Sequence, residues 1–128
     1  MELVFYNGDF IHEKDVSISI NNRSFKYGDG FFETIKIVHS KVVNLPAHFN
    51  RIQLSLDLLK FNGDYDYKFF KEKLSYLIRK NNILHGSSRI HISRKGEGKY
   101  LPESNNIDIC ISTYHGEEYK YNSPISLC

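Results

Sequence analysis

Three groups of side chains in this sequence have the types and spacing that chemistry uses. Glu33 follows Phe32 and precedes Thr34 at the start of a strand-like run. A carboxylate there needs a partner if it is buried, and none if it sits on a solvent-facing edge strand. His48 and Arg51 are three residues apart in a segment of helical period, so they lie on nearly one face. An arginine aimed into a cleft forks two donors onto a phosphate or carboxylate; on the surface it is an ordinary solvated cation. Arg89, His91 and Arg94 are read as one face of a strand, continued by Lys95 and Lys99. Such a strip suits an anionic substrate or, equally, a solvated sheet face. The Gly-Glu-Gly of the following loop is no phosphate-binding P-loop, because the Gly-Lys-Ser/Thr ending is missing. No His, Cys and carboxylate cluster has metal spacing, and no Ser or Cys stands in a nucleophile motif.

These groups need elements to position them. In FKYGDGFFETIK, residues 25–36, Tyr27 and Phe32 bracket Gly28-Asp29-Gly30, which reads as a turn between strands. Short strands are expected over residues 2–6 and from Phe10 to about Glu13, joined by a tight Asn7-Gly8-Asp9 turn. From Asp15 to Ile20 the alternation of Val16, Ile18 and Ile20 with Ser17 and Ser19 predicts a strand with one buried face. A longer strand follows from Phe31 to His39. Pro46 suits the first turn of a helix capped by Asn44, and Phe49, Ile52, Leu56 and Leu59 carry its period to about Lys60. A second helix spans about Tyr65 to Asn81, with Phe70, Leu74, Leu77 and Ile78 on one face. Strands from Arg89 to Arg94 and through Ile107, Ile109 and Ile111 close the chain around a long turn, RKGEGKYLPESNN. Segregated runs of this kind imply one α+β domain, a largely antiparallel sheet with two helices on one face.

Composition is consistent with that layer. A chain of 128 residues with 41% hydrophobic and 25% charged residues is large enough to bury a core. A net charge of +2 is too small to point to a nucleic-acid partner. No run of apolar residues is long enough for a membrane span, and MELVFYNGDF lacks the pattern of a secretory signal. Two cysteines, Cys110 and Cys128, form no disulfide framework, which makes a reduced cytoplasmic setting the expectation.

Taken in order, NGDF, NRSFKYGDGFFETIK, LPAHFNRIQLSLDLL and RIHISRKGEGKYLP resemble the N-terminal small domain of the class-IV aminotransferases. These are fold type IV enzymes that use pyridoxal 5'-phosphate and include branched-chain aminotransferases, D-amino acid transaminases and aminodeoxychorismate lyases. The resemblance runs from Phe5 to about Ile111 and is most specific in the YGDGxFET and HxxR segments. It implies that Arg51 binds the cofactor phosphate, and that Tyr27 and Phe32 line the substrate side of the pocket. Arg94 and Lys99 would belong to the substrate-recognition wall, in several members across a dimer interface. In the FKYGDGFFETIK stretch itself, the glycines read as bending the chain so that Tyr27 and Phe32 face one pocket, with Glu33 bracing the loop from behind.

Three features depart from the family pattern. Asn22 and Ser24 replace the Asp and Gly usual in the DRGF segment. Phe32 stands where D-amino acid transaminases place a Tyr, and the loop after Arg94 lacks their second Arg-x-His pair. Lys99 and Tyr100 are more similar to lyase or branched-chain variants. The family's catalytic lysine lies in a second domain, and Lys120 in EEYKYNSP does not match that segment. The resemblance therefore implies an N-terminal domain, residues 1–128, that is not catalytic alone. It serves a branched-chain or similar aminotransferase that acts as a homodimer on an amino acid or 2-oxo acid. An aminodeoxychorismate lyase, or a non-catalytic ligand-binding or dimerising module, are the alternatives.

Overall fold

The computed structural model describes residues 2–62, 65–96 and 106–117. Its strands are β1 (Leu3–Tyr6), β2 (Asp9–His12), β3 (Gly30–Val38), β4 (Lys41–Val42), β5 (Gly86–Arg94) and β6 (Ile107–His115). They form one antiparallel sheet in the order β2-β1-β6-β5-β3-β4. The helices are α1 (Arg23–Tyr27), α2 (Leu45–Leu58) and α3 (Tyr67–Lys80).

Alternation along the central strands decides which face is covered. In β5 and β6, Ile90 opposes Ile111 and Ile92 opposes Ile109, and all four are buried. Ile35 and Phe5 join them from β3 and β1, while Ile52 and Leu56 of α2 and Phe70, Leu74 and Leu77 of α3 complete the cluster. Each such side chain contributes roughly 1.5–3 kcal/mol through removal from water. Both long helices thus cover one face of the sheet, as the expected α+β layer requires. At the head of α3 the Asp66 carboxylate accepts from the Phe69 amide at 2.8 Å. At the head of α2, Pro46 occupies the first turn, but Asn44 is left-handed at φ 58° and its side chain makes no capping bond.

Two further expectations fail here. Residues 15–20 do not form a strand with a buried face: a single 3₁₀ turn, Glu13–Asp15, leads into irregular chain, and Ile18 and Ile20 are 52% and 75% exposed. None of the six paired strands includes this segment. On the face opposite α2 and α3, Ile18 lines a small cavity together with Tyr6, His91 and Cys110. The Gly28-Asp29-Gly30 stretch is also not a turn between two strands. It joins α1 to β3: Asn22 caps α1 by accepting from the Ser24 and Phe25 amides, and Gly28 ends it at φ 63°. Gly30 then lets β3 approach β5, since a Cβ there would lie 2.5 Å from the Ile92 carbonyl oxygen.

One feature of the sheet bears on the site. β4 is short and pairs only with Ile37 and Val38, and the Val43 amide adds a bond to the Lys36 carbonyl. On the side away from β5, the part of β3 around Phe32–Thr34 has no neighbouring strand among the described residues.

Candidate functional site

Odd-numbered residues of β3 face the helices, and this places Glu33 under α2 rather than in solvent. One turn of α2 presents His48 and Arg51 to it. The Glu33 carboxylate accepts from Arg51 Nε at 3.1 Å through Oε1 and from Nη2 at 3.3 Å through Oε2. His48 Nδ1 lies 2.6 Å from the same Oε2 and 2.9 Å from Arg51 Nη2. That nitrogen carries either a proton or a lone pair, so both contacts are not hydrogen bonds at once. The shorter one, to a carboxylate, makes Nδ1 the donor and leaves Nη2 as its close neighbour. Burial alone would push the Glu33 carboxyl up, but the bonds from Arg51 and His48, with their charges, outweigh it and hold it below the usual carboxylate range.

The three side chains differ in access. Glu33 and His48 are 16% and 14% exposed, whereas Arg51 is 55% exposed. Glu33 takes the Nε and Nη2 donors of the guanidinium, and Nη1 has no protein partner among the described residues. A carboxylate braced from below and a guanidinium with free donors at the surface make an anion-receiving group.

On the opposite face, Phe32 is 55% exposed and the Arg89 guanidinium lies 4.5 Å from its ring centre. Tyr27, at the end of α1, is half exposed beneath the Arg23 guanidinium at 4.9 Å. His91 faces the same side, with Nε2 3.1 Å from Ser24 Oγ. Burial, and then the charge of Arg89, lower its pKa and favour the neutral ring. Cys110 stands directly opposite His91, and burial raises its thiol pKa. Phe32 and Glu33 are adjacent yet point to opposite faces, so they meet a common ligand only around the open edge of β3.

The strip expected of Arg89, His91 and Arg94 does not exist as one face. Positions 89 and 94 differ by an odd number, so Arg94 projects with Ile90 and Ile92 toward the helices. It is buried, donates to Asp29 Oδ2 at 2.9 Å and to the Leu59 carbonyl at 3.0 Å, and packs over Phe61 at 4.7 Å. Arg23 donates to the same Asp29 oxygen at 2.7 Å. Arg94 therefore joins the end of β5 to the turn before β3 and to the end of α2. Lys95 pairs with Asp108 at 3.1 Å. Lys99 lies outside the described residues, as do Tyr100, most of the long turn, Lys120 and Cys128. A cleft of about 410 Å³ between β4, the start of α2 and α3 includes none of Tyr27, Phe32, Arg51 or Arg94. Among the described residues there is no cluster of His, Cys, Asp and Glu able to hold a metal ion, and no helix long and apolar enough to cross a membrane.

Sequence reasoning missed the partner of Glu33 and the double use of Asp29. The first had a signal in the helical spacing of His48 and Arg51. The second had one in the Asp set between two glycines.

A family model, Amino-transferase class IV, matches residues 30–128. The D-alanine aminotransferase of Staphylococcus epidermidis is 30% identical over 94 residues, covering 73% of this chain and 33% of that enzyme. The chain spans about a third of the length of the curated relatives it matches. The Escherichia coli branched-chain amino acid aminotransferase superposes with a TM-score of 0.80 at 22% identity, over 92% of this chain and 41% of that one. A Legionella pneumophila protein provisionally named 4-amino-4-deoxychorismate lyase gives 0.74 at 24% identity, over 85% and 41%. At these identities the two structures establish a shared fold.

Proposed function

The chain belongs to the amino-transferase class IV family, and from that premise we propose that it forms the phosphate-holding part of a pyridoxal 5'-phosphate site. The observation that carries this reading is the Glu33–Arg51 contact, which fixes one edge of an exposed guanidinium whose Nη1 has no partner among the described residues. A phosphate dianion suits such a group, because charge-assisted bonds from planar donors are short and strong. A branched-chain aminotransferase of the same fold, solved with pyridoxamine 5'-phosphate, supports the choice of cofactor. When bound, the cofactor supplies the electron sink that lets an amino group pass between an amino acid and a 2-oxo acid. Arg51 holds its phosphate, with Glu33 and His48 behind. Tyr27 and Phe32 offer aromatic surface to the apolar part of a substrate and exclude water from it. Arg94 shapes the wall through Asp29.

The full protein is then an aminotransferase acting on amino acids and 2-oxo acids, to which these residues add the small domain. Phe32 carries no hydroxyl, which favours an apolar, branched-chain type of substrate over the D-alanine of the Staphylococcus relative's name. The catalytic lysine comes from sequence outside this match to the family's first domain. We place the protein in the cytoplasm as a homodimer, without membrane or nucleic-acid partners. The likeness to the Legionella protein supports a lyase as the second reading.

The test is a screen of the protein expressed from its full reading frame, supplied with pyridoxal 5'-phosphate. Amino transfer from branched-chain donors to a 2-oxo acid is expected. Pyruvate release from aminodeoxychorismate in its place would establish the lyase. Absence of both activities, with no cofactor binding, would leave the non-catalytic module.

A further inference from the structure

We propose that Glu33 and His48 are positioning residues of the anion site, acting through Arg51, an inference that rests on Arg51 receiving the cofactor phosphate. Arginine carries large rotamer freedom, and an exposed arginine must give that freedom up when it grips an anion. Here part of that cost is met before any ligand arrives. The Glu33 carboxylate holds Nε and Nη2 at 3.1 and 3.3 Å, and it is itself held by His48 at 2.6 Å. Glu33 and His48 are nearly buried between β3 and α2, so they have little room to turn. The arrangement is directional: Arg51 keeps only Nη1 and the remaining Nη2 hydrogen for a ligand, and these point away from its brace.

Two effects of opposite sign meet at Glu33. As a positioning group it strengthens phosphate binding by ordering Arg51. As a negative charge near the phosphate it weakens binding by repulsion. The positioning effect is the larger, because the carboxylate is neutralised at contact distance by the guanidinium it orders. Substitutions separate the two. Glu33→Asp keeps the charge but withdraws the carboxylate by one methylene, so it removes the brace alone. Glu33→Gln keeps the length and an acceptor oxygen but removes the charge.

Calorimetric affinities of the full-length protein for pyridoxal 5'-phosphate and for pyridoxal, which lacks the phosphate, test the proposal. Glu33→Asp is expected to weaken the phosphate form about tenfold and to leave pyridoxal within about twofold. Glu33→Gln and His48→Gln are expected to weaken the phosphate form less, in the same direction. In an Arg51→Ala background, Glu33→Asp is expected to cost nothing further. An unchanged preference for phosphate in Glu33→Asp, or tighter phosphate binding in Glu33→Gln, overturns the positioning roles. Equal loss of both ligands marks a general structural defect and overturns them too. If Arg51→Ala itself leaves the preference for phosphate intact, the parent reading of Arg51 fails, and the positioning roles fail with it. If Arg51→Ala abolishes the preference while Glu33→Asp does not, the parent reading stands and only this inference falls.

Discussion

Replacing Asp29 by asparagine separates a structural arginine from an available one. Asp29 Oδ2 receives Arg23 Nε at 2.7 Å and Arg94 Nε at 2.9 Å, and the three side chains are 15%, 6% and 10% exposed. Two cations thus share one anion where water scarcely reaches. Asparagine preserves the shape and one acceptor oxygen but not the charge, so the guanidinium groups are left facing each other without it. Removing one partner of a buried ion pair costs about 3–5 kcal/mol. The retained amide oxygen and the bond from Arg94 to the Leu59 carbonyl set the expectation at the lower end, about 3 kcal/mol. For a domain of this size that is a fall in Tm of about 12 °C. Urea unfolding followed by far-ultraviolet circular dichroism measures it directly, with the slope m unchanged. Arg51→Ala is the control: its guanidinium is 55% exposed, so its ion pair is worth less than about 1 kcal/mol. A loss below about 1 kcal/mol in Asp29→Asn would refute the reasoning.

Three other outcomes follow from the same contacts. The folded Glu33 carboxyl is held below its ordinary value of 4.5, so its contribution is present above that value and is lost as pH falls through the lower folded one. The loss of urea stability between neutral pH and pH about 3 is expected to be smaller in Glu33→Gln than in the parent. The folded His91 ring is neutral to lower pH than the ordinary 6.5, so stability falls as pH drops below that value. An NMR titration of the ring is expected to show its midpoint below 6.5, and a midpoint above it would contradict the burial argument. Gly30→Ala places a Cβ 2.5 Å from the Ile92 carbonyl oxygen, and separating β3 from β5 is expected to cost about 1–3 kcal/mol in the same urea assay.

The residues whose environment repeats along the chain were legible in the sequence. Ile52 and Leu56 in α2, Phe70, Leu74 and Leu77 in α3, and the alternating isoleucines of β5 and β6 all lie in the core that their periods imply. Residues 15–20 show the limit of that signal. Alternation of Val16, Ile18 and Ile20 describes a chain able to be a strand, but pairing is a contact between distant parts of the chain that alternation does not encode, and this segment is irregular. The five residues of α1 are too few for a period, and only the Asn22 cap and the Gly28 stop mark them. At the site, spacing within α2 brings His48 and Arg51 together, whereas their meeting with Glu33 depends on how α2 lies across β3, a contact between distant parts of the chain. Arg94 falls outside the expected strip for a simpler reason. An odd step from Arg89 reverses the face of a strand, and the count was in the sequence.

The central claim is that Arg51 receives a phosphate. Calorimetric titration of the full-length protein with pyridoxal 5'-phosphate, compared with its Arg51→Ala variant, measures it most directly. Charge-assisted bonds worth about 1.5–3 kcal/mol correspond to a loss of affinity of roughly 10- to 150-fold, with little change in unfolding stability. Equal affinity in the two proteins would contradict the account.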